Sequence, residues 1–416
     1  MKRDPRLHRL SREMLRPSLP LLGHPPAPTA RTSALAAKGF RPFFLLAAVF
    51  AALILPVWLL TLAGVLGTTR YVDAMSWHAH EMVFGFAMAV LAGFLLTAVG
   101  NWTGKETLVG APLIAACALW AAGRVAMAAS NLLPRGAPAL LDLAFVPVLI
   151  VAIARPLVAT RSFRNFVMVA ALVVLWLADL YVHLDALGVT HGTSRRALLL
   201  GVDVVVLLMV VMTGRILPMF TRNGTGVMTV RGRPSLDKAA AFAMVVTAVT
   251  SVSGLDARVG AAAAAITAAL LVLRGWTWGT KHTARIPLLW ILHAGHAWIA
   301  VGLALRAAAA LSTAVPPAIA THALTVGAIG SLTLGMMARV TLGHTGRALV
   351  ATPAVTAAFA LVSLAAVARV VGPLVDAASY RTFVFAAGIA WTAAFALFVM
   401  AYAPLLARPR VDGKPG

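Results

Sequence analysis

Apolar runs of eighteen or more residues recur along this chain from Phe43 to Pro404, and nothing else constrains its fold as strongly. Each run can cross a hydrocarbon core of about 30 Å. Inside lipid the backbone must satisfy its own hydrogen bonds, which leaves helices or a closed barrel. A barrel would show short alternating segments, and none occurs. The expected fold is an all-α polytopic membrane protein, about twelve transmembrane helices in one bundle. Only 12% of the 416 residues are charged, whereas soluble domains run near about 25%.

The candidate spans are roughly 43–66, 79–100, 109–130, 139–159, 163–186, 197–220, 238–255, 258–275, 286–309, 317–340, 350–371 and 382–404. The seventh and eighth are separated only by Gly254-Leu255-Asp256-Ala257, which keeps eleven spans open as an alternative. Residues 1–38 read as a disordered basic tail, 39–405 as the membrane domain and 406–416 as a short second tail. Basic residues concentrate in one set of loops. By the positive-inside rule both termini face the cytoplasm. The net charge of +22 belongs to this bias. No basic groove interleaved with aromatics is present, so no nucleic-acid partner is expected. The single Cys117 excludes a disulfide framework and a thiolate metal site.

Ionisable groups inside membrane spans are costly and mark function. Trp77-His78-Ala79-His80-Glu81 opens the second span. Two residues apart on a regular helix, His78 and His80 diverge by about 200°. They are therefore expected to serve different centres, unless His78 remains in the loop. Glu81 could orient an imidazole through its second nitrogen. Asp179, His183 and Asp203 fall at the same outer level. Glu81, Asp179 and Asp203 are candidates for proton entry, and His183 for the shell around a metal. His322 lies near the start of the tenth span, about 8 Å deep at 1.5 Å per residue. His293 and His296 share a helix face nearer the bilayer middle, a spacing that suits a shared metal or a heme ligand. His344 follows the tenth span in a Gly-flanked turn. The metal candidates are thus His78, His80, His293, His296, His322 and His344, with neutral imidazole as ligand. For heme, His78, His80, His293 and His322 are the candidate ligands. Arg215 and Arg339, at the inner ends of two spans, could clamp its propionates.

One repetition is visible. From His80, small residues follow at Gly85, Ala89 and Gly93; from His322, at Gly327, Ser331 and Gly335. Such stripes allow close helix contact. At about 100° per residue they lie largely opposite the histidine.

The chain resembles the NnrS family. The segments that carry the likeness are Lys38-Gly39-Phe40-Arg41-Pro42-Phe43-Phe44, Trp77-His78-Ala79-His80-Glu81-Met82, Gly93-Phe94-Leu95-Leu96-Thr97, Asn101-Trp102-Thr103-Gly104, Gly214-Arg215-Ile216-Leu217-Pro218-Met219, His293 to Trp298, His322-Ala323-Leu324-Thr325 and Arg339 to Arg347. The resemblance implies a bacterial inner-membrane protein of twelve spans with heme b and copper. It also implies a link to nitric oxide, in denitrification or nitrosative-stress tolerance. His78, His80, His293, His322 and His344 fall within matching segments, whereas the family resemblance implies an aromatic residue at the position of His296.

The expected function is binding or reduction of nitric oxide at heme and copper, with membrane lipid as surroundings and the electron donor open. The alternatives are a sensor or scavenger without turnover, and a transporter of a small solute or metal–nitrosyl. No Walker loop, dinucleotide fingerprint, HExxH, CxxC or CxxCH is present.

Overall fold

The computed structural model describes residues 33–414 apart from Thr68 and Arg70. The basic-tail expectation for residues 1–38 therefore falls mostly outside the described residues. Among these residues, twelve helices are long and apolar enough to cross a membrane. They are α1 (Phe40–Leu62), α2 (Ala74–Thr103), α3 (Ala111–Ala128), α4 (Ala137–Ala159), α5 (Phe163–Ala186) and α6 (Ser194–Thr225), followed by α7 (Pro234–Val252), α8 (Ala257–Trp276), α9 (Pro287–Leu311), α10 (Pro317–His344), α11 (Pro353–Val375) and α12 (Tyr380–Ala407). The eleven-span alternative is set aside, because α7 and α8 are separate helices with Asp256 capping the Arg258 amide at 2.7 Å.

Local chemistry sets the ends. Asp73 accepts from the amides of Met75 and Ser76 at 2.9 and 3.0 Å and starts α2 upstream of His78, as an N-cap does. Gly104 closes the same helix at φ +65°, a left-handed conformation open to glycine. Pro234, Pro287, Pro317 and Pro353 stand in the first turn of α7, α9, α10 and α11, where a missing amide costs nothing.

Two helices form the centre. In α2 and α10, 83% and 78% of the apolar window is buried, against 28–61% elsewhere. Each begins as α-helix, Ala74–His80 and Pro317–His322. Each then winds as π-helix over Glu81–Ala87 and Ala323–Gly330 before returning to α. Such segments concentrate at functional sites. The regular 100° step expected after each histidine does not hold through them, because a π-turn takes more residues. The small-residue stripes still do what small residues do. Gly85 and Gly93 meet Phe50 and Phe43/Phe44 of α1, while Gly327 and Gly335 meet Trp298 and Ile291/Leu292 of α9. The pair α1–α2 is thus built like the pair α9–α10.

The two ends of the bundle differ. Residues at the starts of even-numbered helices and the ends of odd-numbered ones share one end, called here the histidine end. The described termini meet at the other, where Arg41 donates to the carbonyls of Leu406 and Arg408 at 2.8 and 2.7 Å.

Candidate metal centre

Four helices of the first half converge at the histidine end. His80 and Glu81 come from α2, Arg124 from α3, Asp142 from α4, and Asp179 and His183 from α5; all are buried. His80 Nε2 lies 2.9 Å from Asp179 Oδ1 and 3.1 Å from Asp142 Oδ2. His183 Nε2 lies 3.3 Å from that same Asp142 oxygen and 3.7 Å from Asp179 Oδ1. Four ligand atoms, two imidazole nitrogens and two carboxylate oxygens, therefore sit within 4.8 Å of one another.

Their outward-facing atoms are occupied. His80 Nδ1 donates to Glu81 Oε1 at 3.1 Å. His183 Nδ1 is 2.8 Å from the Tyr71 hydroxyl. Arg124 bonds both Glu81, at 3.0 Å, and Asp142. Where Nδ1 donates and the ring is neutral, Nε2 is left as a lone pair, the usual arrangement around a metal-bound imidazole.

Charge decides what this knot needs. Three carboxylates, Glu81, Asp142 and Asp179, face one guanidinium, Arg124. With neutral imidazoles the formal sum is −2, and buried charge without compensation is expensive. With Nδ1 donating to Glu81, a neutral His80 would turn its Nε2 lone pair toward two carboxylate oxygens. A divalent cation between these atoms would remove the repulsion, and the donor set fits one. Imidazole and carboxylate are ordinary ligands of first-row divalent ions.

His78 goes elsewhere, as the angular argument requires. It is helical rather than in a loop, and its ring stacks on Trp58 of α1 with centroids 4.5 Å apart. Its buried Nδ1 has no partner. His322 gives its Nδ1 proton to the Ala318 carbonyl at 2.7 Å, so Nε2 carries the lone pair. The two histidines lie within electrostatic range of one another and of Arg369, which donates to the Tyr380 hydroxyl at 2.9 Å. The same end thus holds a carboxylate nest and, apart from it, two further imidazoles within electrostatic range of a guanidinium.

The remaining candidates are engaged singly. Asp203 accepts from Arg306 at 2.6 Å and from Ser251 at 2.8 Å, a buried pair apart from the His80 group. At the opposite end, the Thr221 hydroxyl donates to Leu217 O, so His293 Nε2 donates to Thr221 at 2.8 Å. Its Nδ1 accepts from Thr280 at 2.9 Å. His296 Nε2 donates to the Leu271 carbonyl at 3.1 Å and the ring packs on Trp278. His293 and His296 are thus given separate partners rather than one shared site. Arg215 bonds Asn165 at 2.9 Å, and Arg339 lies over the Phe220 ring at 4.0 Å. His344 packs on Phe40, and its carbonyl accepts from Arg410 at 2.8 Å.

The family described as NnrS protein matches residues 34–410, nearly the whole described chain. This protein belongs to the NnrS family. No curated protein matches it. The match covers every helix that contributes to the carboxylate nest and to the imidazole pair.

Sequence reasoning misses Asp142, Arg124 and Tyr71. Asp142 and Arg124 each stand alone among apolar residues, in Leu140-Leu141-Asp142-Leu143 and Gly123-Arg124-Val125. That isolation inside a span is the signal that could have found them. Tyr71 sits in a loop and carries no such mark.

Proposed function

We propose that this protein is a membrane metalloprotein that binds nitric oxide, with a divalent metal held by His80, Asp142, Asp179 and His183. The observation that carries the reading is the knot itself, in which two imidazole nitrogens and two carboxylate oxygens, all from buried residues, lie within 4.8 Å of one another. Copper(II) is the first-row divalent ion such nitrogen and oxygen sites bind most tightly. Heme b, which the family likeness implies, would be held by an imidazole from His78 or His322, with Arg369 available to a propionate. Bound there, it would supply an iron with affinity for nitric oxide. On this reading the chain's own residues fix tautomers, neutralise charge and exclude water. Glu81 and Tyr71 hold the imidazoles, Arg124 holds Asp142 and Glu81, and the apolar helices keep the site dry.

A second reading, reduction, is favoured by one observation. Tyr71, in the loop before α2, begins a short hydrogen-bonded chain that reaches His183 Nδ1 at 2.8 Å, at the edge of the nest. Joining two nitric oxides to nitrous oxide and water consumes two protons and two electrons. Such a chain could carry the protons, with a quinol as electron source.

Metal analysis and optical spectra of the purified protein test the proposal. Stoichiometric copper, lost in His80→Ala and His183→Ala but kept in His293→Ala, is the expected result. A Soret band that shifts with nitric oxide and is lost in His78→Ala or His322→Ala is expected for heme. Protein that stays metal-free after reconstitution with copper would reduce the nest to a protonated hydrogen-bond network. Consumption of nitric oxide beyond one equivalent, with a quinol present, would separate reduction from binding.

A further inference from the structure

A cavity of about 80 Å³ lies deeper in the bundle, where α1, α2, α5, α6 and α10 meet. Met168, Met209, Met212 and Met336 line it together with aliphatic and phenyl groups. Its two polar side chains are already satisfied. Thr213 donates to the Met209 carbonyl at 2.8 Å and accepts from Arg274 at 3.0 Å. Thr333 donates to the Ile329 carbonyl at 2.6 Å. A trapped water needs two to four polar partners, and apolar cavities without them stay dry. No charged side chain lines it. The volume suits a guest of a few heavy atoms, not a porphyrin or a quinone. Thioethers are polarisable and adaptable, so they give such a guest good dispersion contacts.

The position connects the cavity to the histidine end. Ala87, the last residue of the first π-helical segment, lines it; Leu332 and Thr333 follow the second. Ala87 stands seven residues beyond His80, no more than about 10 Å along the axis at the α-helical rise. Met209, Met212 and Met336 are only partly buried, which leaves entry from the hydrocarbon side open.

We infer that this cavity is a docking site for a small uncharged gas molecule, filled from the bilayer and placed one step inward of the metal nest. Nitric oxide belongs to that class, so the inference deepens the proposed function and rests on it for the identity of the guest. The physical claim about the cavity stands apart from the metal.

Xenon is the probe, applied to the full-length protein in lipid nanodiscs and followed by xenon NMR. A saturable bound resonance is expected, lost in Met212→Trp, which fills the space, and kept in Met212→Leu, which does not. Met336→Phe provides a second filled variant should Met212→Trp fail to fold. Nitric oxide is a radical, and it is expected to broaden the methyl resonances of Met168, Met212 and Met336 more than that of exposed Met228. Absence of bound xenon above empty nanodiscs overturns the inference, as does an equal signal in a correctly folded filled variant. A co-purifying acyl chain that blocks xenon overturns it too. Xenon binding in protein that takes up no metal would leave the cavity standing and remove the proposed function alone.

Discussion

Helices α2 and α10 start alike and end in opposite surroundings. Each opens with a histidine, winds as π-helix for seven or eight residues, and lays its glycines on the preceding span. Yet His80 enters a nest of three carboxylates and one arginine, whereas the charged and titratable groups within electrostatic range of His322 are His78 and Arg369. One helical device has been given two electrostatic environments. Acidic oxygens clustered with imidazole nitrogens could hold a metal ion. On the function proposed above, imidazoles near a guanidinium would suit an anionic cofactor with a metal at its centre. The neighbouring helices, not the motif, set the chemistry.

The comparison breaks most sharply at Asp142. In Asp142→Ala, Arg124 and His183 lose a buried partner. Breaking a buried ion pair costs about 3–5 kcal/mol, so thermal unfolding in detergent should fall well below that of the parent, and the metal proposed for the nest should no longer bind. Arg369→Met should leave that metal in place, because it touches only the second environment. Equal metal loss in both variants would erase the distinction.

The shared part of the design is tested by filling the glycine contacts. A Cβ at Gly85 would lie 2.6 Å from Phe50 Cε1, and one at Gly327 2.6 Å from Trp298 Cδ2. Gly85→Leu and Gly327→Leu should each cost about 1–3 kcal/mol from overpacking, read as similar drops in melting temperature. A large drop in one and none in the other would deny the likeness of the two helix pairs.

Arg369→Met should also remove the Tyr380 hydrogen bond, worth about 0.5–1.5 kcal/mol. Tyr380→Phe in that background should then add nothing in a double-mutant cycle.

The smallest effect lies outside the helices, at the tail that closes the termini end. The Arg410 guanidinium, bonded to Asp412 at 2.5 and 2.8 Å, holds that carboxyl down at about 2. A depressed carboxyl contributes fully above its unfolded value and loses the contribution as pH falls through the folded one. The Val411 amide, bonded to Thr345 O at 3.2 Å, should therefore keep its exchange protection on acidification from pH 7 to pH 4 and lose it between about 4 and 2. In Asp412→Asn that protection should be weaker throughout and insensitive to pH, measured by hydrogen exchange.

What the sequence determined by itself is the fold class and a count of about twelve spans, with eleven left open, because hydropathy is local and lipid leaves a backbone little choice. The twelve apolar runs, the divergence of His78 from His80, and the spacing shared by His80 and His322 are all properties of neighbours in the chain. Which groups meet is not. His80 finds Asp179 at a separation of 99 residues and His183 finds Asp142 at 41. Those meetings depend on how α2, α4 and α5 rotate and stack, and nothing in the hydropathy of any one span encodes that rotation. Asp142 and Arg124 were visible as lone charges in apolar runs, but their role was not, since a buried charge takes its meaning from its partner. The split of His293 and His296 into separate hydroxyl and carbonyl partners likewise depends on Thr221, Thr280 and Leu271 arriving from other segments. The tertiary structure decided the chemistry of each site because charge compensation across packed helices is a long-range property, whereas helix formation in a membrane is a short-range one.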